Sequence, residues 1–168
     1  VDKDNNRIAL GGVTFDLYSE EFDKVIGTYV TDENGEIHVK VLRTGNYKWI
    51  EKETNKWYNL AKDTTTEVVW DKDTANTIEN ELKKGQIRVI KVDLDNNEVK
   101  LEGVEFEVLD KDGNVLEKII TDENGEALTK RYPVRDFSEL TLREVKTQEN
   151  YVLNEEPQTI KLEENQIT

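Results

Sequence analysis

The sequence repeats itself after about 91 residues. Residues 1–6 (VDKDNN) recur as residues 92–97 (VDLDNN), and residues 10–15 (LGGVTF) recur as residues 101–106 (LEGVEF), each with an offset of 91. The hexapeptide TDENGE also occurs twice, with an offset of 90. A repeat of this length predicts two copies of one module rather than a single domain.

The predicted modules are residues 1–84 and residues 85–168, joined at a short hinge that contains Lys83, Lys84 and Gly85. A module of this size buries only a thin core, so a covalent staple or a docked neighbour would help to stabilise it. The sequence contains no cysteine, which excludes a disulfide as that staple.

The chain is acidic, with 23 Lys and Arg against 37 Asp and Glu, and its net charge is −14. Such a surface is well solvated and repels phosphate backbones, so nucleic acid is not expected as a partner. No segment is apolar enough to insert into a membrane, and none has the pattern of a signal peptide. The chain is therefore expected in the cytosol or within a longer exported protein.

Short runs of alternating apolar and polar residues dominate both halves, and turn signals such as Asn34-Gly35 and Asn124-Gly125 separate them. This pattern predicts two tandem antiparallel β-sandwiches with little or no helix. The strands predicted in the first module are 13–18, 24–30, 37–41, 47–51, 58–60, 67–70 and 77–82. Those predicted in the second are 87–92, 106–109, 115–120, 127–132, 140–144, 151–153 and 159–162.

Four polar residues stand in rows that the alternation assigns to a core, namely Lys91, Glu51, Glu144 and Asn80. A lone buried charge costs several kcal/mol, so such groups are normally paired or neutral. A neutral amine is a nucleophile, a protonated carboxyl is an acid, and an amide beside them can be acylated by the amine with loss of ammonia. The alternative is that the charged residues end their strands at a sheet edge, with their head groups in water.

The ordered set of motifs resembles a Cna B-type domain, a prealbumin-like (inverse immunoglobulin) module of Gram-positive surface adhesins and pilins. The motifs that carry the resemblance are Ile87-x-Val89-x-Lys91-x-Asp93, Leu101-x-Gly103-Val104-x-Phe106, Thr121-Asp122-x-Asn124-Gly125, and Leu142-Arg143-Glu144 with Tyr151 seven residues later. The resemblance implies an autocatalytic Lys–Asn isopeptide bond assisted by a Glu or Asp. It makes Lys91 the amine and Glu144 the assisting acid of the second module, and Glu51 the acid and Asn80 the acceptor of the first.

Each module lacks one partner of this triad. An offset of 91 places the lysine of the first module at position zero, and the spacing of Glu51 and Asn80 places the acceptor of the second module beyond Thr168. Lys3 has the wrong strand parity to substitute, and Asn165 is too close to Glu144 in sequence. The first strand of the first module and the last strand of the second are therefore expected to be truncated.

The resemblance implies a structural stalk or pilus shaft on the bacterial cell wall surface, secreted and anchored there, that turns over no substrate. Its partners would be neighbouring modules and, through another domain, host extracellular matrix. A ligand-binding adhesin is the alternative, with recognition by exposed loops or by a patch at Trp57 and Tyr58, although packing of these two residues under a loop is the preferred interpretation. A third class, a hydrolase of the transthyretin-like type, is disfavoured because the sole histidine, His38, is predicted to point outward.

No cofactor and no metal are expected. A single histidine excludes a His-rich metal site. The run Asp93-x-Asp95-x-Asn97 begins like a calcium loop but has Glu98 and Val104 where an EF-hand needs glycine and a bidentate glutamate, so a strand-to-strand turn is the preferred interpretation.

Overall fold

A computed structural model describes residues 1–40 and 42–168, so that Val41, predicted to end the run 37–41, lies outside the described residues. The chain divides into two compact units, Val1–Leu82 and Lys83–Thr168. The described residues form strands, turns and loops without a helix, and they therefore contain no helix that could cross a bilayer.

Unit 1 is built on a four-stranded antiparallel sheet in the order β2-β1-β3-β4. Its strands are β1 (Thr14–Ser19), β2 (Lys24–Val30), β3 (Gly45–Glu53) and β4 (Thr64–Val68). Alternate residues of β1 and β3 point to one face of this sheet, as their sequence pattern predicts. The buried apolar residues of the unit are Val13, Phe15, Leu17, Tyr47, Tyr58 and Leu82.

Unit 2 contains a four-stranded sheet in the order β12-β11-β7-β8 and two smaller two-stranded sheets, β6-β9 and β5-β10. The strands are β5 (Lys84–Gly85), β6 (Arg88–Ile90), β7 (Glu105–Leu109), β8 (Val115–Ile120), β9 (Glu126–Leu128), β10 (Tyr132–Pro133), β11 (Glu139–Lys146) and β12 (Gln158–Lys161). Residues of the large sheet, such as Val108 and Leu140, share one core cluster with Ile87 and Ala127 of the smaller sheets. The prediction of an all-β sandwich fold is confirmed.

The same pairing recurs in both units. The β1-β3 ladder places Phe15 opposite Glu51, and the β7-β11 ladder places Phe106 opposite Glu144. Both ladders contain a register irregularity beside this pair. Equivalent residues of the repeat therefore occupy equivalent positions, with a carboxylate on the central part of each large sheet.

The first and last segments of each unit lie side by side and run parallel. In unit 1, Asp2 pairs with Asn80, and in unit 2, Gln86 pairs with Ile167. Two amide hydrogen bonds hold the first pair: Asn80 N donates to Val1 O at 2.9 Å, and Lys3 N donates to Asn80 O at 2.9 Å. The two ends of each unit are thus neighbours in its fold.

The predicted strand at 37–41 is wrong for residues 37–40, which form no ladder. Its counterpart β9 pairs with β6, and the repeat offset places the counterpart of β6 before Val1, so residues 37–40 have no equivalent strand to pair with. The alternation itself holds, since Ile37 and Val39 are half-buried while His38 and Lys40 are exposed.

Three further segments that were predicted as strands do not form hydrogen-bonded ladders. Segments 58–60 and 77–82 contribute only isolated bridges, Tyr58 with Leu82 and Asn80 with Asp2, and residues 151–153 contribute none. Residues 67–70 were assigned too far along the chain, since β4 occupies Thr64–Val68. The inward row of segment 77–82 is nevertheless present, because Asn80 and Leu82 are both buried.

Replacing Leu140, whose exposure is 0%, by alanine should destabilise unit 2 by about 2–5 kcal/mol, because it leaves a cavity between its sheets. Leu94, with 95% exposure, is a matched control, and Leu94→Ala should change the unfolding free energy by less than about 0.5 kcal/mol. Amide hydrogen exchange of β7 and β11 under native conditions measures both. Equal effects of the two substitutions would contradict the assignment of the core.

Candidate cross-linking site

Glu51 and Asn80 meet inside unit 1. Glu51 lies on the inward face of β3, and Asn80 lies on the segment that pairs with the start of the chain; their exposed fractions are 6% and 2%. Asn80 Nδ2 donates to both carboxylate oxygens of Glu51, at 2.7 Å to Oε1 and 2.9 Å to Oε2. The amide carbon that the sequence predicts as an acceptor is therefore held against the predicted acid.

Two backbone groups fix this contact. Asn80 Nδ2 also donates to the carbonyl oxygen of Asn59 at 3.0 Å, and because a carbonyl only accepts, this bond sets the orientation of the Asn80 amide. The amide nitrogen of Ala61 donates to Glu51 Oε2 at 2.7 Å. The buried carboxylate is thus satisfied by donors rather than by a cation, and its side chain has a defined position.

Lys91 and Glu144 meet inside unit 2. Lys91 Nζ lies 2.8 Å from Glu144 Oε2, and the side chains are 22% and 3% exposed. The lysine backbone is fixed on both sides, since Lys91 N donates to Gly125 O at 2.8 Å and Leu101 N donates to Lys91 O at 3.1 Å. Glu144 Oε1 is buried and has no hydrogen-bond partner among the residues that the structure describes.

The two sites are the same position of the fold with different partners present. Each acid lies opposite the repeated phenylalanine, Glu51 opposite Phe15 and Glu144 opposite Phe106. Unit 1 brings an amide to its acid, and unit 2 brings an amine. Neither unit brings all three groups together within the described residues.

Lys3 and Asn165 do not complete either site. Lys3 Nζ lies 4.0 Å from Glu81, with more than half of its side chain exposed. Asn165 is exposed and adopts a positive φ of 58° in a turn near the end of the chain. Both residues were expected to be poor substitutes on grounds of parity and spacing, and the structure places both outside the buried sites.

A groove of about 1530 Å³ opens beside the unit 1 site. Its apolar walls include Phe15, Leu17, Ile37 and Trp49, and it reaches Asn80. In unit 2, Ile87, directly before β6, is buried to 1% exposure within the corresponding core, and Val89 of β6 pairs with Ala127. The groove is therefore of the kind that an extended, alternating strand fills.

The sequence leaves two interpretations of Trp57 and Tyr58, an exposed ligand patch or packing under a loop, and the preferred one, packing, holds for Tyr58. Tyr58 is buried, with 6% exposure, and its hydroxyl donates to Asp2 Oδ2 at 2.7 Å. Trp57 alone is half-buried, with Lys56 Nζ 4.5 Å from its ring centroid. The signal that would have located Tyr58 is its spacing, since both Tyr58 and Tyr151 follow the acid of their module by seven residues.

Asp2 accepts several hydrogen bonds near the start of unit 1, including those from Asp4 N, Asn5 N and the Tyr58 hydroxyl. Burial alone would raise the pKa of Asp2, but hydrogen bonds from Tyr58, from the Asn5 side chain and from the amides of Asp4 and Asn5 outweigh it and lower that pKa. In unit 2, hydrogen bonding with Tyr151 and the amides of Asn96 and Asp95 lowers the pKa of Asp93. The Asp93 carboxylate thus serves a turn, as the sequence interpretation preferred.

Replacing Lys91 by methionine should destabilise unit 2 by about 3 kcal/mol at neutral pH, because the buried carboxylate of Glu144 then loses its cation. Lys146 is a matched control on the surface: its Nζ lies 2.7 Å from Glu105, with the lysine side chain 65% exposed. Lys146→Met should cost less than about 1 kcal/mol. Hydrogen exchange of β11 measures both, and equal losses would show that the Lys91 pair behaves as a surface pair.

Replacing Asp2 by asparagine should destabilise unit 1 by about 1–2 kcal/mol at neutral pH, because charge-assisted hydrogen bonds are lost. The folded-state pKa of Asp2 is lowered, so its stabilisation is present above the unfolded pKa and disappears as the pH falls through the folded value. The difference between wild type and Asp2→Asn should therefore shrink below about pH 4. Tryptophan fluorescence during urea unfolding measures it, since all three tryptophans lie in unit 1.

The control for this experiment is Asp63→Asn, which removes the charge of an exposed aspartate in the same unit. It should change the unfolding free energy little at any pH. A difference between wild type and Asp2→Asn that stays constant down to low pH would contradict the lowered pKa of Asp2.

Solved structures similar to this chain come from Gram-positive surface proteins. The Bacillus anthracis TIE protein is 27% identical with a TM-score of 0.71, and the match covers 97% of this chain and 30% of that one. The Streptococcal ancillary pilin is 24% identical with a TM-score of 0.45, over 100% of this chain and 59% of that one. The shaft pilin SpaA of Lactobacillus rhamnosus GG is 15% identical with a TM-score of 0.43, over 94% of this chain and 86% of that one.

The chain thus spans less than a third of the TIE protein and about three fifths of the ancillary pilin. No curated protein matches its sequence significantly. The sequence matches the SpaA prealbumin-like fold domain twice, at residues 1–84 and 85–168. Together with the repeated sandwich and its inward acids, these matches show that the chain belongs to the SpaA prealbumin-like fold domain family, as a tandem pair of the Cna B type.

Proposed function

We propose that this chain is a load-bearing part of a Gram-positive surface pilin or adhesin, in which each module is locked by an internal Lys–Asn isopeptide bond. Family membership and the resemblance to Cna B-type modules support the structural role. The observation that carries the cross-link is the pair of equivalent buried sites, one holding an acid with an amide and the other holding an acid with an amine.

When the equivalent positions of the two units are superimposed, the lysine of unit 2, the asparagine of unit 1 and the shared glutamate position form the three groups of one reaction. The lysine Nζ attacks Cγ of the asparagine, a new N–C bond forms, and the bond from Cγ to Nδ2 breaks. The glutamate carries a proton from Nζ to Nδ2, which leaves as ammonia. Glu51 already contacts the leaving nitrogen of Asn80, and Glu144 already contacts the attacking nitrogen of Lys91, so each acid touches its end of the proton transfer.

In unit 1 the attacking amine would belong to the residue before Val1. The amino group of Val1 donates to Ile78 O at 2.8 Å. Ile78 lies two residues before Asn80, so the chain enters unit 1 beside the segment that carries the acceptor. This placement supports a first strand of unit 1 that continues before Val1. The corresponding continuation of the last strand of unit 2 beyond Thr168 is proposed from the repeat spacing alone.

The position of the cross-link suits a mechanical role. The first and last segments of unit 1 run parallel and are joined near Asn80 by two amide hydrogen bonds. A pulling force applied to the two ends of the unit loads this contact in shear. An amide bond between position zero and Asn80 would carry the force directly and leave residues 1–79 outside its path.

This role implies the rest of the proposal. The parent protein is secreted and anchored at the cell wall, the partners of these modules are neighbouring modules of the same protein, and host matrix is contacted by another domain. The modules turn over no substrate, apart from the single event that forms each bond.

The test is an extended chain in which residues 86–91 of the second module (QIRVIK) are copied directly before Val1, so that a lysine occupies position zero. This strand should fill the groove and react with Asn80, and the intact mass should fall by about 17 Da, the mass of one ammonia. Glu51→Ala should abolish this loss. Glu53→Ala, on the same strand but exposed, should leave it unchanged.

The outcomes separate two parts of the proposal. An unchanged mass in an extended chain that has become more resistant to urea would show that the strand docks without reacting, and this would contradict the cross-link. An unchanged mass with no gain in resistance would contradict the placement of the strand.

A further inference from the structure

We propose that Tyr58 is a positioning residue for the cross-link site of unit 1, and that residues 58–61 form a strap that holds the amine strand, the amide and the acid in one geometry. This inference rests on the proposed function. It assigns the strap no part in the chemistry, since the Tyr58 hydroxyl is bonded to Asp2.

The strap holds the amine strand through Tyr58. The Tyr58 hydroxyl donates to Asp2 Oδ2 at 2.7 Å inside the unit. Asp2 in turn accepts bonds from Asp4 N at 2.8 Å and Asn5 N at 3.0 Å, so the strand end and the following turn share one carboxylate. Asp2 lies two residues after position zero, and its place therefore fixes where a lysine at that position enters the core.

The same four residues hold the other two groups. The carbonyl oxygen of Asn59 accepts from Asn80 Nδ2 at 3.0 Å, and the amide nitrogen of Ala61 donates to Glu51 Oε2 at 2.7 Å. The backbone of Asn59 is itself tied to the last segment, because its amide donates to Glu81 O at 2.9 Å. A shift of the strap would therefore move the amide and the acid relative to each other.

Unit 2 repeats the pairing of a tyrosine with an aspartate. Tyr151 follows Glu144 by seven residues, as Tyr58 follows Glu51, and Asp93 follows Lys91 by two residues. Hydrogen bonding between Tyr151 and Asp93 raises the pKa of Tyr151. A tyrosine that only filled the core would need no acid partner at a fixed distance from the lysine position. The recurrence of this pairing favours a positioning role.

The experiment compares Tyr58→Phe with Tyr47→Phe. Tyr47 is a matched control in the same unit, with 3% exposure, and its hydroxyl donates to Arg43 O at 2.9 Å without contacting the site. Each variant loses one hydroxyl and one buried hydrogen bond. Unfolding followed by tryptophan fluorescence reports the general loss of stability that a structural role alone would produce.

The first measurement uses the chain as it is. The side-chain amide protons of Asn80, followed by NMR, should exchange with solvent about 3- to 10-fold faster in Tyr58→Phe than in Tyr47→Phe after correction for their unfolding free energies. Asp2→Asn, which retains an acceptor oxygen for Tyr58, should have a smaller effect. Equal corrected exchange in Tyr58→Phe and Tyr47→Phe would overturn the proposal.

The second measurement uses the extended chain that carries a lysine before Val1. Tyr58→Phe should slow the loss of ammonia about 3- to 10-fold, whereas Tyr47→Phe should leave its rate unchanged. If the wild-type extended chain loses no ammonia, the proposed cross-link fails, and the exchange of the Asn80 amide still decides the role of the strap. If ammonia is lost at equal rates in both variants, the strap proposal fails and the cross-link stands.

Discussion

Both units depend on the satisfaction of a carboxylate that is buried in a thin core. A buried charge without partners costs several kcal/mol, which is a large part of the stability of a module this small. Unit 1 satisfies Glu51 with the Asn80 amide and the Ala61 backbone, and unit 2 satisfies one oxygen of Glu144 with Lys91. The acid thereby decides which segments must come together, since a donor has to reach it from a neighbouring strand.

The segments that meet at the acid are also the first and last segments of the unit. Their parallel contact in unit 1 is held by two amide hydrogen bonds around Asn80, by one from Val1 N to Ile78 O and by one from Leu82 N to Asp4 Oδ2, so a force applied at the ends acts on a few hydrogen bonds. The same contact brings the predicted amide to the acid, and it would bring there an amine carried by the residue before Val1. The contact that provides hydrogen bonds to the buried carboxylate is thus also the contact through which a pulling force would pass.

The sequence predicts which face of a strand a residue occupies better than it predicts which segments are hydrogen-bonded to each other as strands. Alternation places Glu51, Asn80 and Glu144 inward, because local backbone geometry sets this property. It assigns a strand to residues 37–40, which form no ladder, because hydrogen bonding depends on a distant partner. The acceptor of the Tyr58 hydroxyl could not be predicted for the same reason, since Asp2 is 56 residues away in the sequence. The repeated spacing from the acid was the only local sign of its role.

The absence of cysteine gives the proposed bond a further physical meaning. A link between position zero and Asn80 closes a loop of about 80 residues, and the chain-entropy model assigns such a closure about 4–5 kcal/mol, comparable with the entire stability of a small domain. An amide achieves this without a thiol, so reducing conditions cannot break it. Because its reactants must first be buried together, the proposed bond would form only after the sandwich has folded. The proposed strap around Tyr58 would act at that stage, since the reaction would require a core that is already ordered.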